Sequence, residues 1–159
     1  MEIKLRKLRK SDINFFGVWW RDQELVALTS GHKEQLADQK VQIYFDEILK
    51  DQNAKHFMID LGAKTIGHIA LTAKDANWHE IQVVIGEKGY WGNGYGPHAI
   101  NLLLKIAGEE GIHKVYLEVR PNNKRAITAY EKCGFKKTGL LEHPENPNLP
   151  ITLRMERII

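Results

Sequence analysis

A length of 159 residues suits one domain around a single core and leaves little room for a second. A net charge of +3, with 43% hydrophobic and 27% charged residues, is that of an ordinary globular protein. It excludes the dense basic stripe expected of a nucleic-acid binder, while leaving an anionic ligand acceptable.

The start, Met1-Glu2-Ile3-Lys4-Leu5-Arg6-Lys7, alternates charged and apolar residues and reads as a strand over residues 3–9. It lacks the apolar stretch of a signal peptide, and no later run is long enough to span a membrane. Ser11-Asp12 can cap a helix that carries Phe15, Phe16, Trp19 and Trp20 at helical spacing. Residues 25–31 are irregular. Leu36, Val41, Tyr44, Phe45, Ile48 and Leu49 then predict an amphipathic helix over 33–50. Three strands follow, over 56–60, 65–72 and 80–86, joined by a hairpin turn at Leu61-Gly62-Ala63-Lys64 and a looser one over 74–78.

Next comes Gly89-Tyr90-Trp91-Gly92-Asn93-Gly94-Tyr95-Gly96-Pro97, between the strand Ile81-Gln82-Val83-Val84-Ile85 and a helix over 96–111. Strand, glycine turn and helix place bare backbone N–H groups at a helix N-terminus, where orphan donors and the helix dipole favour an anion. Pro97 costs nothing in a first helical turn. The turn reads as a cradle for a cofactor pyrophosphate; the plain alternative is a glycine-rich hairpin before an ordinary helix cap. A Walker loop is excluded by the missing Gly-Lys-Ser/Thr, and the dinucleotide fingerprint by Pro97 where its third glycine belongs. The apolar residues of helix 96–111, from Ala99 to Ile106, imply deep burial. A β-branched strand over 115–119 precedes a helix over 124–133 that ends at Gly134. Strands over 135–141 and 151–155 close the chain around a Pro/Asn-rich loop, 143–150. Cys133 is the only cysteine, so no internal disulfide forms and a reducing, cytoplasmic location is expected. Nothing divides residues 1–159, so a single domain is expected, of order β-α-α-β-β-β-α-β-α-β-β.

Trp91-Gly92-Asn93-Gly94-Tyr95-Gly96, then Asn123-Lys124-Arg125-Ala126, then Tyr130-Glu131-Lys132-Cys133-Gly134-Phe135 form an ordered set. In that set the chain resembles the GNAT superfamily of acetyl-CoA-dependent N-acetyltransferases, whose acyl-CoA loop is written Q/R-x-x-G-x-G/A. Leu8-Arg9-Lys10-Ser11-Asp12 and Trp20-Arg21-Asp22 look like its ribosomal-protein and diamine acetyltransferase branch. One departure is plain: Trp91 stands where the family carries Gln or Arg. The resemblance implies an α/β fold with a mixed, mostly antiparallel sheet flanked by helices and split where the cofactor enters. It also implies that Val83, Val84 and Ile85 run along pantetheine and offer a backbone N–H to the thioester oxygen, beside a splayed strand 115–119. Trp91, Gly92, Asn93, Gly94, Tyr95, Gly96 and Pro97 would hold the pyrophosphate of acetyl-CoA, with Asn123, Arg125 and Tyr130 completing the cofactor site.

Tyr130 matches the family's general acid. A phenol of reference pKa about 10, against roughly 8.5 for a thiol, stays protonated at neutral pH and can meet a departing thiolate. The alternative is a tyrosine packed on the core. Asn123 serves the cofactor, the helix cap or both, and Lys124 and Arg125 reach phosphates or remain a solvated charge pair. Glu80 is the candidate base and amine contact, against a plain surface strand position. His79, with a reference pKa near 6.5, is the reserve, and reliance on water alone would leave no base. Trp19, Trp20, Asp22 and Glu24 fall in the family's acceptor wall, where Trp20 and Asp22 would bind the amine and one tryptophan belongs to the core. The histidines show no ligand spacing, so no metal is expected, and Cys133 reads as a small packed residue. The expected activity is direct acetyl transfer to a primary amine in a ternary complex. A protein N-terminus is the first acceptor, and a polyamine, antibiotic or other small amine is its rival. A non-catalytic acyl-CoA-binding module is a second class, and a nucleic-acid binder, betrayed by salt-dependent affinity, a third. Family precedent also admits a homodimer.

Overall fold

The computed structural model describes residues 2–159; Met1 lies outside them. Its strands are β1 (Ile3–Lys7), β2 (Ala54–Leu61), β3 (Lys64–Ala73), β4 (Trp78–Ile85), β5 (Lys114–Val119), β6 (Lys136–Glu142) and β7 (Ile151–Ile158). They form one sheet in the order β1-β2-β3-β4-β5-β7-β6. Neighbours are antiparallel except β4 and β5, which run parallel. The helices are α1 (Ile13–Arg21), α2 (Gln23–Leu28), α3 (Asp38–Lys50), α4 (Tyr95–Glu109) and α5 (Lys124–Lys132). The mixed, mostly antiparallel sheet flanked by helices is as expected, and none of these helices is long and apolar enough to cross a membrane.

Period-two alternation divides the sheet into two faces. Ile81, Val83 and Ile85 of β4 and Val115, Leu117 and Val119 of β5 pack with Ile100, Leu103 and Ala107 of α4 and Ile127 of α5. Ile100 and Leu103 are almost fully buried, each worth about 1.5–3 kcal/mol of transfer free energy. On the other face a smaller cluster, Phe16, Trp19, Leu25, Phe45 and Met58, seats α1 and α3. Arg6 fastens the sheet edge to this layer, donating to the buried Asp12 at 2.8 Å and to Asp60 at 2.9 Å.

Two local readings change. The helix expected from residue 33 begins at Asp38, because Arg21 Nε donates to the Leu36 carbonyl at 2.7 Å and holds the preceding segment extended. The stretch expected to be irregular folds as α2, because the Asp22 carboxylate accepts from the Glu24 and Leu25 amides at 3.1 and 3.2 Å. The first strand also stops at Lys7 and the last runs on to Ile158.

Candidate functional site

The site begins where the sheet comes apart. The β4–β5 ladder pairs Trp78 with Lys114, His79 with Val115 and Glu80 with Tyr116, and then stops. Beyond it, the Val84 carbonyl lies against β3, only 2.3 Å from where a Cβ on Gly67 would sit. The Ile85 carbonyl instead accepts from the Trp91 indole N–H at 2.7 Å. Alternation therefore turns the backbone groups of Ile85 and Val83 to the open edge left by β5. An extended ligand laid in that gap would find strand hydrogen bonds waiting for it.

The glycine turn faces the same gap. Gly92 and Gly94 have φ of +77° and +81°, and a Cβ at either would meet nothing within 4 Å. The first hydrogen bond of α4 is His98 N–H to the Gly94 carbonyl, at 3.1 Å. Upstream of it, among the described residues, the amides of Gly92, Asn93, Gly94, Tyr95 and Gly96 have no protein acceptor, and Pro97 has no N–H to satisfy. A row of free donors, left-handed glycines and open space at the positive end of a 15-residue helix fits a pyrophosphate. Trp91, the departure from the family loop, braces the strand end and also carries the Arg125 guanidinium over its ring at 4.7 Å. Asn123 Oδ1 accepts from the Ala126 amide at 3.2 Å, so it does cap α5.

A cleft of about 1150 Å³ passes through the sheet here, lined from one face by Gly96, Ala126 and Tyr130 and from the other by Phe16, Trp20 and His68. It brings together Val83, Val84, Ile85, Trp91, Gly92, Gly94, Tyr95, Gly96, Pro97, Asn123, Lys124, Arg125, Tyr130, Trp20 and Glu80. The Asn93 side chain is turned back to the Trp91 carbonyl at 3.1 Å and lines no part of it. Burial pushes the Tyr130 hydroxyl up to about 12, so it is protonated at any physiological pH. Glu80, at 13% side-chain exposure, is raised above the ordinary carboxylate range, first by burial and then by Glu118, with Lys74 opposing. A second pocket of about 540 Å³ continues from Glu80 and Gln82 past Trp20 and His56 to Glu47 and Asp51.

Asp22 and His79 are elsewhere. Asp22 lines neither cavity: its carboxylate caps α2 and meets Lys88 Nζ at 3.0 Å, which also reaches Glu24 at 3.1 Å. Helix capping and ion pairing absorb the charge that was expected to meet an amine. His79 lies out of phase with Glu80, and its buried Nδ1 has no partner among the described residues and no place on either cavity wall. Both tryptophans line the cleft; Trp19 is also a core residue, 4% exposed, and only Trp20 reaches the second pocket. Cys133 is buried with Sγ 3.6 Å from the Pro97 carbonyl, a packing position.

Sequence reading missed a second polar row. Tyr116, Glu118 and Arg120 alternate with the core residues of β5 and so share the face of Glu80. Glu118 accepts from Thr152 Oγ1 at 2.5 Å and sits 3.0 Å from His143 Nε2. His56 and His68, on β2 and β3, stack with Nδ1 and Nε2 at 2.9 Å. Burial, reinforced by His56, lowers His68 to about 3, so that ring is neutral. The period of β5 was the available signal; the histidine pair gave none.

The model of the acetyltransferase (GNAT) domain family matches residues 2–136. The chain belongs to that family. Among relatives, it is 24% identical to the aminoglycoside N(6')-acetyltransferase type 1 of Klebsiella pneumoniae, over 91% of this chain and 79% of that protein. It is 24% identical to the spermidine N(1)-acetyltransferase of Vibrio cholerae, over 88% and 82% of the two chains. The crystal structure of the Vibrio cholerae spermidine N-acetyltransferase with CoA and spermine superposes with a TM-score of 0.83 at 23% identity, covering 98% of this chain and 95% of that one. The split between β4 and β5 and the free amides at the head of α4 are thus features of a GNAT domain.

Proposed function

We propose that this GNAT domain transfers the acetyl group of acetyl-CoA to a primary amine of a small, multiply cationic acceptor. One observation carries the reading: the cleft headed by the free amides of Gly92–Gly96 opens, at Glu80, into a pocket whose far wall holds Glu47 and Asp51. Anion-binding backbone at one end and carboxylates at the other suit a phosphorylated donor and a cationic acceptor. The relatives named for aminoglycosides and spermidine support a small-molecule acceptor over the protein N-terminus expected first.

In this reading acetyl-CoA, as substrate, lies along the unpaired edge of β4, where Val83 or Ile85 offers an N–H to the thioester oxygen. Glu80 takes the proton of the attacking amine. Burial, with Glu118 adding, raises its pKa above the ordinary carboxylate range and makes it a stronger base than a surface carboxylate. Tyr130 faces the leaving sulfur. Full proton transfer from a phenol at about 12 to a thiolate of about 8.5 is uphill by roughly 5 kcal/mol. Its part is therefore a hydrogen bond to the developing thiolate; the N–C bond forms as the C–S bond breaks, and the proton the thiolate gains through solvent balances the one Glu80 takes from the amine. Trp20 and the carboxylates of Glu47 and Asp51 receive the acceptor's remaining ammonium groups.

Incubation with acetyl-CoA and a panel of polyamines, aminoglycosides and peptides, following thiol release, tests this directly. Release with a small polyamine or aminoglycoside supports it. Release only with peptides moves the acceptor to a protein N-terminus, and CoA binding without release to any amine leaves an acyl-CoA-binding module.

A further inference from the structure

Two segments that line the cleft come from distant parts of the chain. One follows α2, where Thr29 and Ser30 line the cleft and His32 and Leu36 the acid-lined pocket; the other is the 143–150 loop, which contributes His143, Asn146 and Leu149. Each is tied at its far end to its own surroundings, the first through Arg21 to the Leu36 carbonyl and the second through His143 to Thr152 at 2.9 Å. Among the described residues, one side chain hydrogen-bonds both. Arg120, just past the end of β5, donates from Nε to the Thr29 carbonyl at 3.0 Å and from Nη2 to the Asn148 carbonyl at 2.8 Å. Nε and Nη2 occupy one edge of a rigid fork, so a single guanidinium fixes the separation of the two carbonyls; a lysine ammonium has no such geometry.

The first segment is shaped to admit that fork. Gly31 has φ of +71°, and a Cβ there would fall 2.2 Å from Arg120 Nη2 and 2.7 Å from the Asn148 carbonyl oxygen. The absence of a side chain brings the two segments together around the guanidinium. Asn146 Oδ1 accepts from the Asn148 and Leu149 amides at 3.1 and 3.2 Å, which turns the Asn148 carbonyl outward to be reached.

We propose that Arg120 is a positioning residue for the amine acceptor, clamping the 29–37 and 143–150 segments into one wall of the acceptor chamber; the acceptor part rests on the function proposed above. Arg120 shares the sheet face of Glu80 and lies on the opposite side of β5 from the core, so the clamp acts on the acceptor half and leaves the glycine turn untouched. Its loss frees both segments at once.

The test uses the full chain, with spermidine and kanamycin as probe acceptors. Arg120→Ala is expected to speed amide hydrogen exchange in both segments together. It should raise the acceptor KM roughly tenfold, about one charge-assisted hydrogen bond's worth, with kcat and the acetyl-CoA KM nearly unchanged. Added guanidinium ion at low millimolar concentration should restore part of the acceptor KM. Arg120→Lys, the variant less prone to misfold, should protect one segment and release the other. Unaltered exchange in both segments, or acceptor and acetyl-CoA KM rising in parallel, would overturn the clamp. If the unmodified protein acetylates neither probe, the acceptor reading fails by itself, and the exchange measurement still decides whether Arg120 joins the segments.

Discussion

Gly96→Ala separates what the folded chain requires from what a bound cofactor requires. Gly96 is in the first turn of α4 with ordinary helical backbone, and a Cβ there meets only Ile85 Cγ1 at 3.9 Å, an ordinary contact. Alanine in a helix is better than glycine by about 0.5–1 kcal/mol, so the free variant should be as stable as the parent or slightly more so. For a chain of this size that gain is worth a rise of roughly 1–4 °C in Tm. The new methyl, however, occupies cleft space between the unpaired end of β4 and the free amides of the turn. Crowding a filled site by one methyl costs roughly 1–3 kcal/mol, which weakens CoA binding about 5- to 150-fold. Calorimetry with CoA and a thermal melt of the same sample give both numbers. Equal or higher Tm with a weaker Kd is expected. An unchanged Kd would mean that no ligand comes close to this backbone, and the assignment of the turn to a pyrophosphate would fall. Gly94→Ala serves as the contrast: at φ of +81° an L side chain is strained by about 1–2 kcal/mol, so that variant should lose stability as well as affinity.

Tyr130→Phe keeps the ring and removes the hydroxyl; kcat should fall roughly 10²-fold or more while CoA affinity measured by calorimetry holds, and an unaltered kcat would remove Tyr130 from the chemistry. Glu80 acts as a base only when ionised, so kcat/KM should fall as pH drops through a value above the usual carboxylate range, and Glu80→Gln should abolish that limb along with most of the rate. Because the folded pKa lies above the unfolded one, the native state binds the extra proton in that window and stability falls as pH rises through it; Glu80→Gln should therefore melt higher than the parent at neutral pH. A limb that survives in the Gln variant belongs to another group. Gly86→Ala would drive a Cβ to 2.1 Å from the buried Trp19 indole, at a cost of roughly 1–3 kcal/mol, visible as a lower Tm; a parental Tm would show that Trp19 yields freely.

The contrast between well-read and misread segments has a physical basis. Helix α4 was legible because apolar residues at Ala99, Ile100, Leu103, Leu104 and Ala107 can only be buried on one face, and the left-handed glycines ahead of it announce a turn. The start of α3 was not, because Leu36 continues the helical spacing and is buried in a loop whose path is set by a hydrogen bond from Arg21, a partner 15 residues away. Asp22 was misread for a related reason. Its type fits an amine ligand and a helix cap equally well, and α2 is too short to show a period, so only the fold reveals that Lys88 and two amides use the carboxylate. Trp91 was correctly seen as a departure, but its indole bond to the end of β4 depends on where that strand stops.

The two ends of the cleft differ in how their residues are spread along the chain. In the proposed donor site a pyrophosphate would be met by backbone amides in sequence, Gly92 to Gly96, and backbone recognition needs only the glycines that expose it, so the pattern is local. An amine acceptor is met by side chains, and here the chamber takes Trp20 from α1, Asp51 from the end of α3, His56 from β2, Glu80 from β4 and Glu118 from β5. They come from five different elements, and only Asp51 and His56 lie close together in the chain. They meet because alternation along three strands aims every second side chain at one face, and because Arg120 draws two loops together over it. Substitutions at any of these positions alter the acceptor chamber without disturbing the run of amides. A domain built this way can keep one donor while its acceptor drifts, which is consistent with relatives named for substrates as different as aminoglycosides and spermidine.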